Sequence, residues 1–240
     1  MRSSEAAWVK SALSQFPDST IDPVVELGSS TRDFRTVQQP HIEREVHSPL
    51  RTRSVQIVTT DLKGGDGIDI SGNIYDEAVR AKVKAVGAKC VLCCNIFEHV
   101  VDRPSFAAIC NDILAPDGIL IVTVPHSYPY HLDPIDTMFR PTTAEIQELF
   151  PGYELLDKEI VVDTTYGHDL LVEHGWRGLP LFFLKAAAKF VLLRGTWDEW
   201  KARNHRFLWL SRPYKTIGVV LQKPAVELGV DRVGDHRMVN

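Results

Sequence analysis

Four apolar runs in this chain end on residues suited to holding a polar ligand. Val24-Val25 leads into Glu26-Leu27-Gly28-Ser29-Ser30, where a glycine lets backbone approach a ligand closely and a following helix would offer unpaired N–H groups. The run from Val55 closes on Asp61-Leu62, and a carboxylate there can accept both hydroxyls of a ribose in charged hydrogen bonds worth roughly 1.5–3 kcal/mol each. Ile68-Asp69-Ile70-Ser71-Gly72 precedes Asn73-Ile74, an amide and an apolar side chain that suit the edge and face of an adenine. Cys90 to Ile96 carries Asn95 and is followed by Glu98-His99. Singly, each of these reads as a strand exit, a cap or a turn residue. Their recurrence in order points to a nucleoside.

A second group, His126, His131, Asp133, Asp136 and Arg140, falls in one stretch after the apolar run Ile119 to Val124. Histidine changes charge near neutral pH, so His99, His126 or His131 could take a proton from a hydroxyl or amine. Asp136 and Arg140, four residues apart, read as a structural pair that holds the loop. His126, His131 and Asp133 could also be taken for metal ligands, but the chemistry expected here needs no metal.

These residues need elements to place them. In an open α/β sheet, ligands bind outside the carboxyl ends of the strands. Cys90 to Ile96 and Ile119 to Val124 are nearly all apolar, as strands covered on both faces must be. Between them Asp102 caps a helix with Phe106, Ile109, Cys110 and Ile113 on one face, and Ala115-Pro116-Asp117-Gly118 makes a turn. Residues 76–86 read as a further helix. Thr142 and Glu145 have capping-box spacing ahead of Ile146 and Leu149, and Thr216 to Gln222 reads as the last strand. Trp8, Val9, Ala12, Leu13 and Phe16 share one face of an N-terminal helix within residues 1–20. Residues 32–53 read as polar and irregular with one helix, 166–212 as a helical insertion, and 224–240 as a loose tail. Strands alternating with helices in this way predict one α/β domain over 1–240, with a mostly parallel sheet wound on both faces.

The motifs resemble those of class I S-adenosylmethionine-dependent methyltransferases of the broad type 11 group, over roughly 22–165 and again over 212–223. Val24 to Ser30 is similar to the family's first motif, an acid followed by Gly-x-Gly-x-Gly, although only Gly28 survives and Ser29, Ser30 and Arg32 replace the remainder. Asp61 matches the ribose-binding acid, and Gly72-Asn73-Ile74 the adenine-contacting segment. Asn95-Ile96-Phe97-Glu98-His99-Val100, followed by Asp102, is the nearest match. Leu114-Ala115-Pro116-Asp117-Gly118 resembles the turn before the fifth strand. The resemblance implies a Rossmann-like fold of seven strands with the last antiparallel, and S-adenosyl-L-methionine as cofactor. It implies Glu26, Gly28, Ser29, Asp61, Leu62, Asn73, Ile74 and Asn95 as the cofactor set, with His99, His126 and His131 on the acceptor side. The acceptor expected is a small molecule or glycan, methylated on oxygen.

Two other readings compete. A domain that keeps the fold but has lost turnover would explain the missing glycines. A nicotinamide-binding Rossmann domain would want three glycines and an acid about 20 residues on, whereas Asp61 comes much later. The balance of 27 Lys and Arg against 31 Asp and Glu lacks the basic excess of a nucleic-acid binder. Cys90, Cys93, Cys94 and Cys110 lie in apolar surroundings and read as packed thiols, so a reducing cytoplasm is the expected compartment. The insertion carries Trp176, Trp197, Trp200 and Trp209, with Lys185 and Lys189 on an apolar helix near Arg194, Lys201, Arg203 and Arg206. A cap on the sheet edge or a homodimer contact explains it more simply than an aromatic sugar pocket or a membrane-surface helix over 181–193.

Overall fold

The apolar runs become strands β1 (Val24–Leu27), β2 (Ile57–Asp61), β3 (Ile70–Ser71), β4 (Ala88–Cys94), β5 (Leu114–Ser127), β6 (Glu154–Thr165) and β7 (Pro213–Gln222). They are described in a computed structural model that covers residues 1–131, 135–191 and 196–225. One sheet holds all seven in the order β3-β2-β1-β4-β5-β7-β6. β3, β2, β1, β4 and β5 pair in parallel, and β7 runs antiparallel to both β5 and β6. This is the Rossmann-like doubly wound sheet of seven strands, the last antiparallel, that the resemblance implies.

Around the sheet lie α1 (Ser3–Ser14), α2 (Asp18–Ile21), α3 (Pro40–Ile42), α4 (Ser48–Thr52), α5 (Glu77–Lys84), α6 (Arg103–Ile113), α7 (Thr143–Glu148), α8 (Tyr166–Val191) and α9 (Trp197–His205). Alternation along the strands divides the core in two. On one face Val25, Val91, Leu120 and Val122 pack with Phe97, Phe106, Ile113 and Phe150. On the other, Val24, Cys90, Leu92, Ile119 and Ile121 meet Ala6, Val9 and Leu13 of α1 and Leu50 of α4. Asp102 caps α6 through Ser105 N–H, and Thr142 with Glu145 closes a capping box on α7.

Three segments differ from expectation. Residues 34–52 are not irregular: π-helical turns at Phe34–Gln38 and Glu43–His47 alternate with α3 and α4 and bury Ile42, Val46 and Leu50. The Ala115–Gly118 turn lies inside β5 as a bulge, where pairing with β4 jumps from Ala88–Leu114 to Cys90–Ile119 and Asp117 adopts φ +60°. The edge strand β6, which no sequence pattern marked, leaves Leu156, Ile160 and Val162 exposed.

Within 166–212 the described residues are mostly helical, with α8 breaking at Gly175 (φ 64°, ψ 171°) and Pro180 within it. Trp197 stacks on Trp200 at 4.8 Å, and Phe182 and Phe183 gather beside Phe207. Trp176, Leu181 and Leu184 are exposed, whereas Trp209 is buried. No helix among the described residues is long and apolar enough to cross a membrane. Arg194, the side chains of Lys189 and Arg203, and the tail beyond 225 lie outside the described residues.

Candidate functional site

The carboxyl ends of β1, β2, β3 and β4 open on a cleft of about 920 Å³. That is at the upper end of the size usual for small-molecule and cofactor sites. Glu26, Gly28, Ser29, Asp61, Leu62, Asn73, Ile74 and Asn95 all line it, as do His99 and His131.

At the β1 exit Gly28 has φ +64°, and a Cβ built on it would stand 3.2 Å from Ile96 Cδ1. Both conditions select glycine. Ser30 takes a left-handed conformation as well, at φ +56°. What holds a loop lacking the remaining glycines is Arg35. Its buried guanidinium donates to the carbonyls of Ser29 (3.2 Å), Ser30 (2.6 Å) and Gly67 (2.8 Å).

Asp61 is fixed by backbone. Oδ2 accepts from Ser30 N–H at 2.9 Å and Oδ1 from Lys63 N–H at 3.0 Å. A carboxylate has about four acceptor positions, so two bonds leave room for two hydroxyls. Gly72 N–H donates to the Asp61 carbonyl at 2.9 Å, which ties the end of β3 to this acid. Asn73 Oδ1 accepts from Tyr75 N–H at 3.1 Å, turning the chain so that Ile74 lines the cleft and packs on the core.

The other wall comes partly from the chain's first residues, Met1 and Arg2, and from Ser3 and Glu5 of α1. Buried Glu5 accepts from Thr123 Oγ1 at 2.6 Å and from Asn95 Nδ2 at 2.7 Å, and so sets the amide of Asn95. Glu26 lies with Oε2 2.9 Å from His47 Nε2, close but without hydrogen-bond alignment. Arg35 and Glu5 are contributors that the motifs did not mark.

At the far end stand Glu98, His99 and His131. Glu98 is fully buried yet lines the cleft, and neither carboxyl oxygen has a hydrogen-bond partner among the described residues. Burial pushes its carboxyl up to about 8, with Glu5 adding to the rise while its own backbone N–H and Arg140 oppose it. His99 Nε2 is 3.7 Å from Glu98 Oε1, and His99 Nδ1 meets the carbonyl of Ile135. The rings of His99 and His131 meet edge to face at 5.2 Å. Asp136 accepts from Arg140 at 2.7 and 3.1 Å, the structural pair their spacing implies, and from His131 N–H at 3.1 Å. Half-buried Tyr128, its phenol pushed up by desolvation, packs on His131 from the side.

His126 is not brought to this cleft. Successive side chains of β5 point to opposite faces. Pro125 takes the cleft side, and His126 turns away to place Nδ1 3.0 Å from the carbonyl of Pro141. Asp133, grouped with His126 and His131 in the sequence, lies outside the described residues.

No family model matches this chain, and no curated protein does. Among solved structures the chain is similar to coclaurine N-methyltransferase bound to N-methylheliamine and SAH, at 13% identity and TM-score 0.48, covering 90% of this chain and 71% of that one. A SAM-dependent methyltransferase from Archaeoglobus fulgidus matches at 10% identity and TM-score 0.47, covering 91% and 94%. The O-MT segment of StiE matches at 14% identity and TM-score 0.45, covering 90% and 72%.

Proposed function

We propose that this chain is an S-adenosylmethionine-dependent methyltransferase acting on a small molecule or glycan-type acceptor, with a hydroxyl oxygen as the methylated atom. The observation that carries this reading is Asp61, a backbone-anchored carboxylate with two acceptor positions left over at the β2 exit, flanked by Gly28 on one side and Asn73-Ile74 on the other. Bound there, the cofactor supplies a methyl group on a positively charged sulfur.

The chain's own residues do the rest. Asp61 holds ribose hydroxyls, Asn73 and Ile74 meet the edge and face of the base, and Gly28 with Ser29 lets backbone approach. Asn95, oriented by Glu5, stands between this half and the acceptor end. Methyl transfer depends mainly on aligning the acceptor with the methyl group. His99 or His131 takes the acceptor proton as the new bond forms.

Calorimetric titration with S-adenosylhomocysteine tests the reading. Saturable binding of one molecule per chain, with no response to NAD(H), is the expected result. A response to NAD(H) alone overturns it in favour of a nicotinamide enzyme. No nucleoside binding at all leaves a fold that has lost its cofactor.

A further inference from the structure

Three features meet at the end of the cleft opposite Asp61. First, Glu98, His99 and His131 each bring a metal-ligating atom to within 4.8 Å of the other two. Second, the Glu98 carboxyl is buried without a hydrogen-bond partner among the described residues, although the residue is part of the cleft wall. A buried acid in that condition is costly unless something pairs with it.

Third, both histidines are held by one ring nitrogen. His99 Nδ1 is against the Ile135 carbonyl. His131 Nδ1 lies 3.2 Å from Asp136 Oδ2, and Asp136 is itself gripped by Arg140. Metal-binding histidines nearly always give one ring N–H to a carbonyl or carboxylate in this way, which fixes the tautomer and aims the lone pair of the other nitrogen. Hydrogen bonding within the chain thus prepares two imidazoles, and burial withholds a partner from the carboxylate beside them.

We propose that Glu98, His99 and His131 form a binding site for one divalent transition-metal ion of the zinc or iron(II) class. Two imidazoles with one carboxylate select such ions over magnesium or calcium, which favour oxygen alone. Zinc bonds of about 2.0–2.1 Å set ligand atoms roughly 3.3 Å apart. The three side chains therefore close by up to about 1.5 Å on the ion, in the cleft wall that all three line. The ion would take up the histidine nitrogens to which the methyl-transfer reading gives the role of base, so ion and base are alternative uses of these side chains; its binding does not depend on that reading.

The experiment uses the full chain, stripped with a chelator and titrated with Zn²⁺ by calorimetry and with Co²⁺ by visible absorption. Expected are one ion per chain and Co²⁺ bands of low-symmetry nitrogen and oxygen coordination. Glu98→Gln and His131→Asn should each weaken binding at least 100-fold, since the loss even of an outer partner costs roughly 10–100-fold. His131→Asn decides the matter if Glu98→Gln does not fold. Failure of the parent chain to bind either ion, or unchanged binding in a folded variant, overturns the site. Parallel titration with S-adenosylhomocysteine keeps the two readings apart: ion without nucleoside sinks only the methyltransferase, and nucleoside without ion sinks only the metal.

Discussion

The two halves of the cleft are built on opposite principles. In the nucleoside half most polar groups named above are tied down by the chain: Asp61 by two backbone N–H groups, Asn73 by Tyr75, and the Ser29-Ser30 loop by Arg35, with Glu26 beside His47 the exception. In the acceptor half Glu98 is buried with neither oxygen hydrogen-bonded among the described residues, beside two histidines each already held from behind. The first half is largely satisfied before any ligand arrives. The second stores an unmet demand, which a ligand or ion can answer and the empty protein must bear.

That contrast predicts opposite signs for two substitutions. In metal-free protein, Glu98→Met removes a buried unsatisfied group and should raise stability by about 1–3 kcal/mol, while zinc binding is lost. Urea denaturation measures the first effect and zinc titration the second; a destabilised Glu98→Met would mean that the acid is satisfied after all. Asp61→Ala works the other way. It frees the N–H groups of Ser30 and Lys63 and removes the ribose partner, so affinity for S-adenosylhomocysteine should fall at least tenfold, or about 1.4 kcal/mol. Unchanged affinity would take Asp61 out of the site. Gly28→Ala forces a left-handed alanine and a contact with Ile96, at a cost of about 1 kcal/mol that thermal melting would detect.

The same contrast explains what could be read in advance. The strand exits were legible because each is a polar break after an apolar run, and the parallel pairing of β1 to β5 follows from alternation of strands and helices, whereas the antiparallel last strand came from the resemblance alone. Glu5 had a readable signal that the apolar residues obscured. It lies three and four positions before Trp8 and Val9, on the same helical face as Ala12 and Leu13, and an acid on a buried stripe needs a partner. Glu98 stood in a recognised motif, but nothing in Phe97-Glu98-His99 says that the acid is buried. Arg35 carries no local signal at all, because its three acceptors are backbone carbonyls that any sequence supplies. Strand β6 escaped notice because a sheet edge tolerates the irregular mixture Leu155-Leu156-Asp157-Lys158-Glu159-Ile160.

The smallest predicted effect concerns the clamp that keeps α1 over the acceptor half. Arg2 donates to Asp163 at 3.0 Å and to Asp169 at 2.8 and 3.0 Å, and lies over the ring of Tyr214 at 4.4 Å. Burial works against the charge of Asp163, but Ser4, Thr164 N–H and Arg2 outweigh it and hold the carboxyl well below its usual range. A carboxyl depressed in the folded state contributes stability that is fully present above its unfolded value near 3.9 and is lost as pH falls toward the folded value. The difference in stability between the parent chain and Asp163→Asn should therefore stay constant from pH 7 to about 5 and shrink below about 4. Arg2 is partly exposed, so its ion pair accounts for no more than about 1 kcal/mol of that difference. Thermal melts of both proteins across this range measure it. A gap that persists undiminished to pH 3 would show that Asp163 acts through packing rather than charge, and the hold of α1 on Glu5 and Asn95 would then owe nothing to the clamp.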